Sequence, residues 1–323
     1  VYDGDTVRTQ VWHYPGRTEC LECHTGPTQG GLALGFNTAQ LNRDFLYPNG
    51  VTDNQLRSLQ FAGYFSASPA VPPLNTLRAL AHPTNETVSV EQRVRSYLAA
   101  NCAFCHQPGG SAQANFDARL FRALPQVNLV NGPLVNPGGN ASNRVVVPGS
   151  LDHSMLLARI SIRGAGQMPP RASTIVDTQA VALLSRWITN DLAAYQSFAD
   201  WQIAHFGSTN APAALSAADP DGDRGRNGLE YLTGTDPQDA ASAWGIGIEV
   251  QGESAFISYP RLPNRGFEVQ WRANSDFGTT SGWQFLDVPE NRPFFSATNG
   301  VTRVPVSPRE AVSRFYRVRV YEP

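Results

Sequence analysis

Four cysteines occur in the 323-residue chain, and all four stand in two copies of one pattern. Cys20 and Cys23 are followed by His24, and Cys102 and Cys105 by His106. Two thiols three positions apart can both reach the two vinyl groups on one porphyrin edge. The adjacent His then lies under the iron as the proximal ligand. C-x-x-C-H is the attachment pattern of c-type haem, so the repeat predicts two covalently bound haem c groups. The main rival is zinc. Zinc ribbons place their two C-x-x-C knuckles roughly 15–20 residues apart, whereas these pairs lie far apart in the chain and each is followed directly by a His. A redox dithiol explains neither the His nor the duplication.

A low-spin electron carrier needs a sixth iron ligand. Met168, in GAGQMPP, is the best placed of the two methionines. A thioether beside a Pro-Pro turn is held rigidly, and Met/His ligation raises the reduction potential. Its place ahead of a closing helical stretch assigns it to the second haem. The bland alternative is a Met filling a core gap. The first motif has no Met or His between His24 and the proline-rich connector. His13, His82, His153 and Met155 remain as candidates, as does a five-coordinate iron, and for each of the four a structural or surface role has the larger share.

A second constellation is acidic. Asp219, Asp221, Asp223, Asn227 and Glu230 fall at positions 1, 3, 5, 9 and 12 of a twelve-residue calcium loop, with Gly225 at position 7 supplying a carbonyl. Hard oxygens at alternate positions wrap a small cation, and the final Glu can bind through both oxygens. Arg224 stands at position 6, where the turn normally requires Gly, and Gly225 is expected to take the turn over. A solvated acidic linker is the alternative. One Ca2+ with a structural role, stiffening the junction between the haem-bearing and β parts, is the expectation.

These residues need elements to position them. SVEQRVRSYLAAN opens with Ser89 and Gln92 in capping-box register, then places Val90, Val94, Tyr97 and Leu98 on one helical face leading into Cys102. A closing helix is expected over 177–190, with Asp177 as N-cap and Val181, Leu184, Trp187 and Ile188 as its buried stripe. Thr52 and Gln55 are expected to open a short helix running to about Tyr64. A strand is expected around Thr6–Tyr14, followed after the first motif by a glycine-rich stretch (Gly26, Gly30, Gly31, Gly35). Between His106 and Met168 the reading is a decorated loop, with a strand at Val145–Val147 and a helix from Ser150. FADWQIAHFG reads as a linker helix. Beyond Trp244, IGIEV, SAFISYP, GFEVQWRA, WQFLDV, VTRVPV and FYRVRVY alternate as short antiparallel strands. The expected fold is multidomain: mainly α cytochrome c-like haem domains followed by a small antiparallel β-sandwich. The expected divisions are a first haem unit over 1–75, a second haem domain over 76–197, a linker helix and calcium loop over 198–243, and the β domain over 244–323.

Composition narrows the partners. A net charge of −2 with 16% charged residues offers no basic field for nucleic acid. The 25 cationic residues are all Arg, so no lysine amine can bind iron. No run of 18 apolar residues suggests a transmembrane segment. Haem c is attached outside the cytoplasm, which predicts a periplasmic or extracellular protein. A targeting segment is expected upstream, with Val1 a mature terminus or the start of a fragment.

WHYPGRTECLECHT, LGFNTAQLNRDF, VTDNQLRSL, YLAANCAFCHQPGG, VVPGSLDHSMLLARI and QMPP together resemble the cytochrome region of bacterial dihaem proteins, over about residues 8–190. That region often follows secreted sugar-dehydrogenase-like β-propellers that use pyrroloquinoline quinone. From about 198 the chain is similar to tails of secreted proteins of the Verrucomicrobia–Planctomycetes type, which join a DPDGDG-like calcium loop to a small β domain ending in a FYRVRV-like strand. The resemblance implies export and accommodates an upstream propeller; it does not supply the first haem's sixth ligand. The expected function is a dihaem cytochrome passing single electrons between redox partner proteins, a dehydrogenase among the candidate donors. The alternatives are a dihaem peroxidase-like enzyme with an open first haem, or a subunit of a self-assembling electron conduit.

Overall fold

The computed structural model describes residues 2–3, 5–7, 9, 12–24, 34–66, 71–113, 115–274, 282–306 and 313–323. The chain forms two compact units, each discontinuous in sequence. One comprises 1–36 and 93–194, the other 37–92 and 195–323. The division falls inside the helix Val90–Asn101.

The expectation of mainly α haem domains is not met. Among the described residues the structure is 27% helix and 19% strand, in short helices and small sheets. The reason lies in the backbone between the second motif and Ser154, where Asn128 and Asn131 adopt φ of 51° and 54°, and Gly109, Gly138, Gly139 and Gly149 are also left-handed. Such residues favour turns over helix. Here loop-to-loop bonds satisfy the backbone instead, among them Asn131 N–H to Val146 O at 2.7 Å and Val145 N–H to Gly132 O at 2.9 Å. The expected strand at Val145–Val147 is reduced to isolated bridges, and the helix expected from Ser150 begins at Met155 and ends at Ile160.

The first unit packs around the helix Val90–Asn101 and the closing helix Thr178–Arg186, which runs on into a wider turn at Trp187–Asp191. Asp177 caps the closing helix by accepting from Ala180 N–H at 2.9 Å. Val94, Leu98, Leu184, Trp187 and Ile188 are almost wholly buried, each such side chain stabilising the fold by about 1.5–3 kcal/mol. At the other end of the chain, among the described residues, the strand expected over Thr6–Tyr14 is present at Thr6–Val7, paired with Tyr2–Asp3. Residues 8, 10 and 11, with Gly26, Gly30 and Gly31, lie outside the described residues.

The second unit contains two three-stranded antiparallel sheets. In one, Ser254–Arg261 lies between Gly247–Gln251 and Gly300–Val306; in the other, Gly266–Ala273 lies between Arg314–Tyr321 and Gln284–Phe285. Alternate residues of these strands, including Ile257, Tyr259, Phe267, Val269, Val304 and Val320, meet in one core. The start of the Cys102 helix belongs to this unit. Ser89 donates its N–H to Phe295 O and its hydroxyl to Asn264, both at 2.8 Å, and accepts from Gln92 N–H at 3.3 Å. Thr52 does not open a helix: Thr52–Asn54 pairs as a strand with Asp44–Leu46, and Asn54 caps the helix Gln55–Phe61. Among the described residues, no helix is long and apolar enough to cross a membrane.

Candidate cofactor and metal sites

Cys102 continues the hydrogen bonding of its helix, donating N–H to Leu98 O at 2.8 Å. The chain then tightens, with Cys105 and His106 both donating to Cys102 O, at 3.1 and 2.8 Å. The glycine after next is obligatory: a Cβ on Gly110 would stand 2.0 Å from Cys105 O. The His106 ring stacks on Phe116, centroids 4.1 Å apart and planes 21° apart. This turn forms one wall of a cavity of about 520 Å³, a size typical of small-molecule and cofactor sites. Cys102, Cys105, His106, Met155 and Met168 all line it, with apolar neighbours such as Leu134, Val145 and Ile160. Both methionines of the chain thus face the second motif's cavity.

The Met168 loop is fastened on both sides. Met168 N–H reaches Arg159 O at 3.0 Å, while the Gln167 amide bridges Pro169 O and Ser173 O, each at 2.9 Å. Met155 is held differently. The Asn143 amide nitrogen donates to its sulfur at 3.4 Å, and the Asn143 amide oxygen accepts from His153 Nδ1 at 3.0 Å. Of the four candidates for the first iron, Met155 therefore lies in the second motif's cavity and His153 is tied to Asn143. His13 contacts Glu19 at 2.9 Å, and His82 bonds Thr84 at 2.8 Å.

The first motif forms the exposed helix Arg17–His24. Cys20 is exposed and Cys23 half-buried, and Glu22 and Cys23 line the same cavity as the second motif. Ser111 donates its hydroxyl to Glu22 O at 2.7 Å, and Arg171, three residues beyond Met168, pairs with Glu19 and Glu22 at 3.3 Å each. Glu19 is held below the usual carboxylate range by its hydrogen bonds to His13 and Gly16 N–H. Burial pushes the Cys102 thiol up to about 12 and raises Cys23, the latter helped by Cys105 alongside it. Among the described residues, no group of three or more metal-binding side chains converges here as it does in the acidic loop. The donor set and the apolar cavity fit a covalently held haem better than a zinc ion.

In the acidic loop, single carboxylate oxygens of Asp219, Asp221 and Asp223 lie within 4.8 Å of one another. Asp219 accepts from Gly222 N–H at 2.9 Å and Arg224 N–H at 3.1 Å, and Asp221 from Asp223 N–H at 3.2 Å. Contrary to expectation, Arg224 itself takes the left-handed turn, at φ 82°. Gly225 is needed for another reason: a Cβ there would meet Asp223 Oδ1 at 2.8 Å. Glu230 is 1% exposed, and neither of its oxygens has a hydrogen-bond partner. Burial, then the charges of Asp221, Asp223 and Asp219, push it up to about 7. An unpartnered buried carboxylate beside three others is costly unless a cation neutralises it. Asn227, also fully buried, donates to Ala213 O and Leu215 O and keeps its oxygen without a partner. This donor set fits Ca2+.

The contacts of Ser111, Phe116 and Arg171 escaped the reading of the sequence, because none belongs to a motif. The only signal was proximity, Arg171 to QMPP and Ser111 to the second C-x-x-C-H. Comparison with family models, with curated proteins and with solved structures finds no match to this chain.

Proposed function

We propose that this chain is a dihaem c-type cytochrome that passes single electrons between redox partner proteins outside the cytoplasm. Cys20, Cys23 and His24 hold one haem; Cys102, Cys105, His106 and Met168 hold the other. The observation that carries the reading is the shared cavity, where both thiols and the imidazole of one motif meet the chain's methionines in an apolar enclosure. A bound haem supplies the ferric/ferrous couple. The polypeptide's part is to hold and shield. His106 is braced flat against Phe116, and the apolar lining excludes water from the iron, which with axial-ligand choice sets the potential. Calcium in the loop of Asp219, Asp221, Asp223, Gly225, Asn227 and Glu230 serves structure. The helix Asn227–Thr233, which carries Asn227 and Glu230, packs Leu229 and Leu232 against the β core, and Tyr231 reaches Glu322 at 2.9 Å.

A spectroscopic redox titration tests this. Two one-electron reductions per chain are expected, with low-spin iron in the second site. A chain that takes up no electrons contradicts the reading, and high-spin iron turning over peroxide replaces it with the peroxidase-like alternative.

A further inference from the structure

The outer face of one β-sheet carries a pattern of cations and rings that the proposed function does not use. In the sheet of Arg314–Tyr321, Gly266–Ala273 and Gln284–Phe285, the side chains of Phe267, Val269, Val318 and Val320 pack into the core. Their neighbours in the two-residue alternation face the other way. The register sets Phe315, Arg317 and Arg319 beside Arg272, Gln270 and Glu268 on that outer side, with Phe285 opposite Gln270. Arg317 and Arg319 are exposed, as is Phe315. The Arg317 guanidinium lies over the Trp283 ring, 4.5 Å from its centroid, and that of Arg319 lies 5.4 Å from the Tyr321 centroid. Arg317 Nε donates to Gln270 Oε1 at 2.8 Å, and the Gln270 amide nitrogen donates to Glu268, the acid on this face. Among the described residues neither Arg317 nor Arg319 forms an ion pair, whereas Arg303 on the other sheet pairs with Glu249 at 2.7 Å. Partial burial, then the neighbouring Arg319 charge, hold Arg317 below the usual guanidinium value.

We propose that this face binds an acidic polysaccharide, a polymer of uronate sugars. Guanidinia braced on aromatic rings present planar forks that match carboxylates. Trp283 and Phe315 add apolar surface for the C–H faces of pyranose rings, which an acidic polypeptide lacks. Arg317 and Arg319 stand two residues apart, about 7 Å along the strand, so the cations form a row suited to a repeating anion. A denser polyanion such as single-stranded DNA is opposed by Glu268 on the face and by the net charge of −2. The proposal is independent of the dihaem reading, because all of these residues belong to the unit of 37–92 and 195–323.

The test is affinity electrophoresis of the full-length holoprotein in gels containing polygalacturonate, with dextran, polyglutamate and single-stranded DNA as comparison polymers. Retardation by polygalacturonate alone is expected, weakening as salt is added. R317A/R319A and Trp283→Ala are each expected to weaken binding by about tenfold or more at an unchanged melting temperature, while Arg303→Ala on the other sheet keeps it. No retardation, or retardation that R317A/R319A leaves intact, overturns the proposal. Equal retardation by polyglutamate assigns the face to an acidic protein instead, and equal retardation by DNA to a nucleic acid; either result overturns the polysaccharide. The polymer comparison uses the native chain, so it decides the matter even where a variant fails to fold.

Discussion

Met168 and Glu230 carry the account at the scale of single residues. If Met168 binds the second iron, Met168→Ala leaves the haem count unchanged, abolishes the sulfur-to-iron charge-transfer band and lowers that site's potential. Met155→Leu, in the same cavity, keeps the band. Loss of the band in Met155→Leu alone would exchange the two roles. Glu230 gives a pH dependence. Its carboxyl titrates near 7 in the folded, metal-free protein, above the ordinary value of 4.5, so ionisation is harder in the folded than in the unfolded chain. The associated stability is greatest below about pH 4.5 and is lost as pH rises to about 7. The whole effect is on the order of 3 kcal/mol. Denaturant unfolding in chelator should show that decline, and in calcium it should flatten. In Glu230→Gln the decline disappears and calcium no longer stabilises. For the native loop, calcium at about 100 times its Kd is expected to add about 2.7 kcal/mol.

Elements explain how those residues are held, and how much of the arrangement could be read in advance. The capping roles of Ser89 and Asp177, and the stripes Val94–Leu98 and Leu184–Trp187–Ile188, were legible because local hydrogen bonding and a 3.6-residue period are properties of short windows. The strands after Trp244 were legible through their two-residue alternation. The stretch from Gly109 to Ser154 was not, since its backbone bonds pair residues by tertiary contact rather than by period. Nor was the burial around the Cys102 helix, where Glu91, Arg93 and Arg95 are as buried as Val90; an amphipathic pattern predicts one buried face, and this helix is covered on several. The C-x-x-C-H repeats and the acidic spacing stood out in the sequence because covalent and ionic chemistry demands fixed residue types at fixed spacing, and of the acidic set the structure gathers Asp219, Asp221 and Asp223 into one cluster. Gly110 gives the test at this scale. Replacement by Ala drives a methyl into the Cys105 carbonyl and is expected to destabilise the turn by about 1–3 kcal/mol. It should reduce haem loading at the second motif, measured as the haem-to-protein absorbance ratio. An unchanged ratio and melting temperature would show that the turn relaxes freely. In the core, Leu184→Ala is expected to cost about 2–5 kcal/mol without changing haem ligation, read as a fall in denaturation midpoint with unaltered spectra.

Across the whole molecule, the chain interleaves two units, and each carries one of the two chemistries. The cysteines, His106 and Met168 belong to the unit of 1–36 and 93–194, and the acidic loop to that of 37–92 and 195–323. Calcium removal should therefore lower the stability of the second unit and leave the haem spectra of the first unchanged, which paired calorimetry and absorbance can decide. The central claim is covalent attachment at both motifs. Intact mass of the protein matured in a host competent for haem c attachment, checked by pyridine haemochrome absorbance, tests it most directly. The account predicts a polypeptide heavier by two haems, falling to one in C20A/C23A; a mass of one haem or none in the native sequence would contradict it.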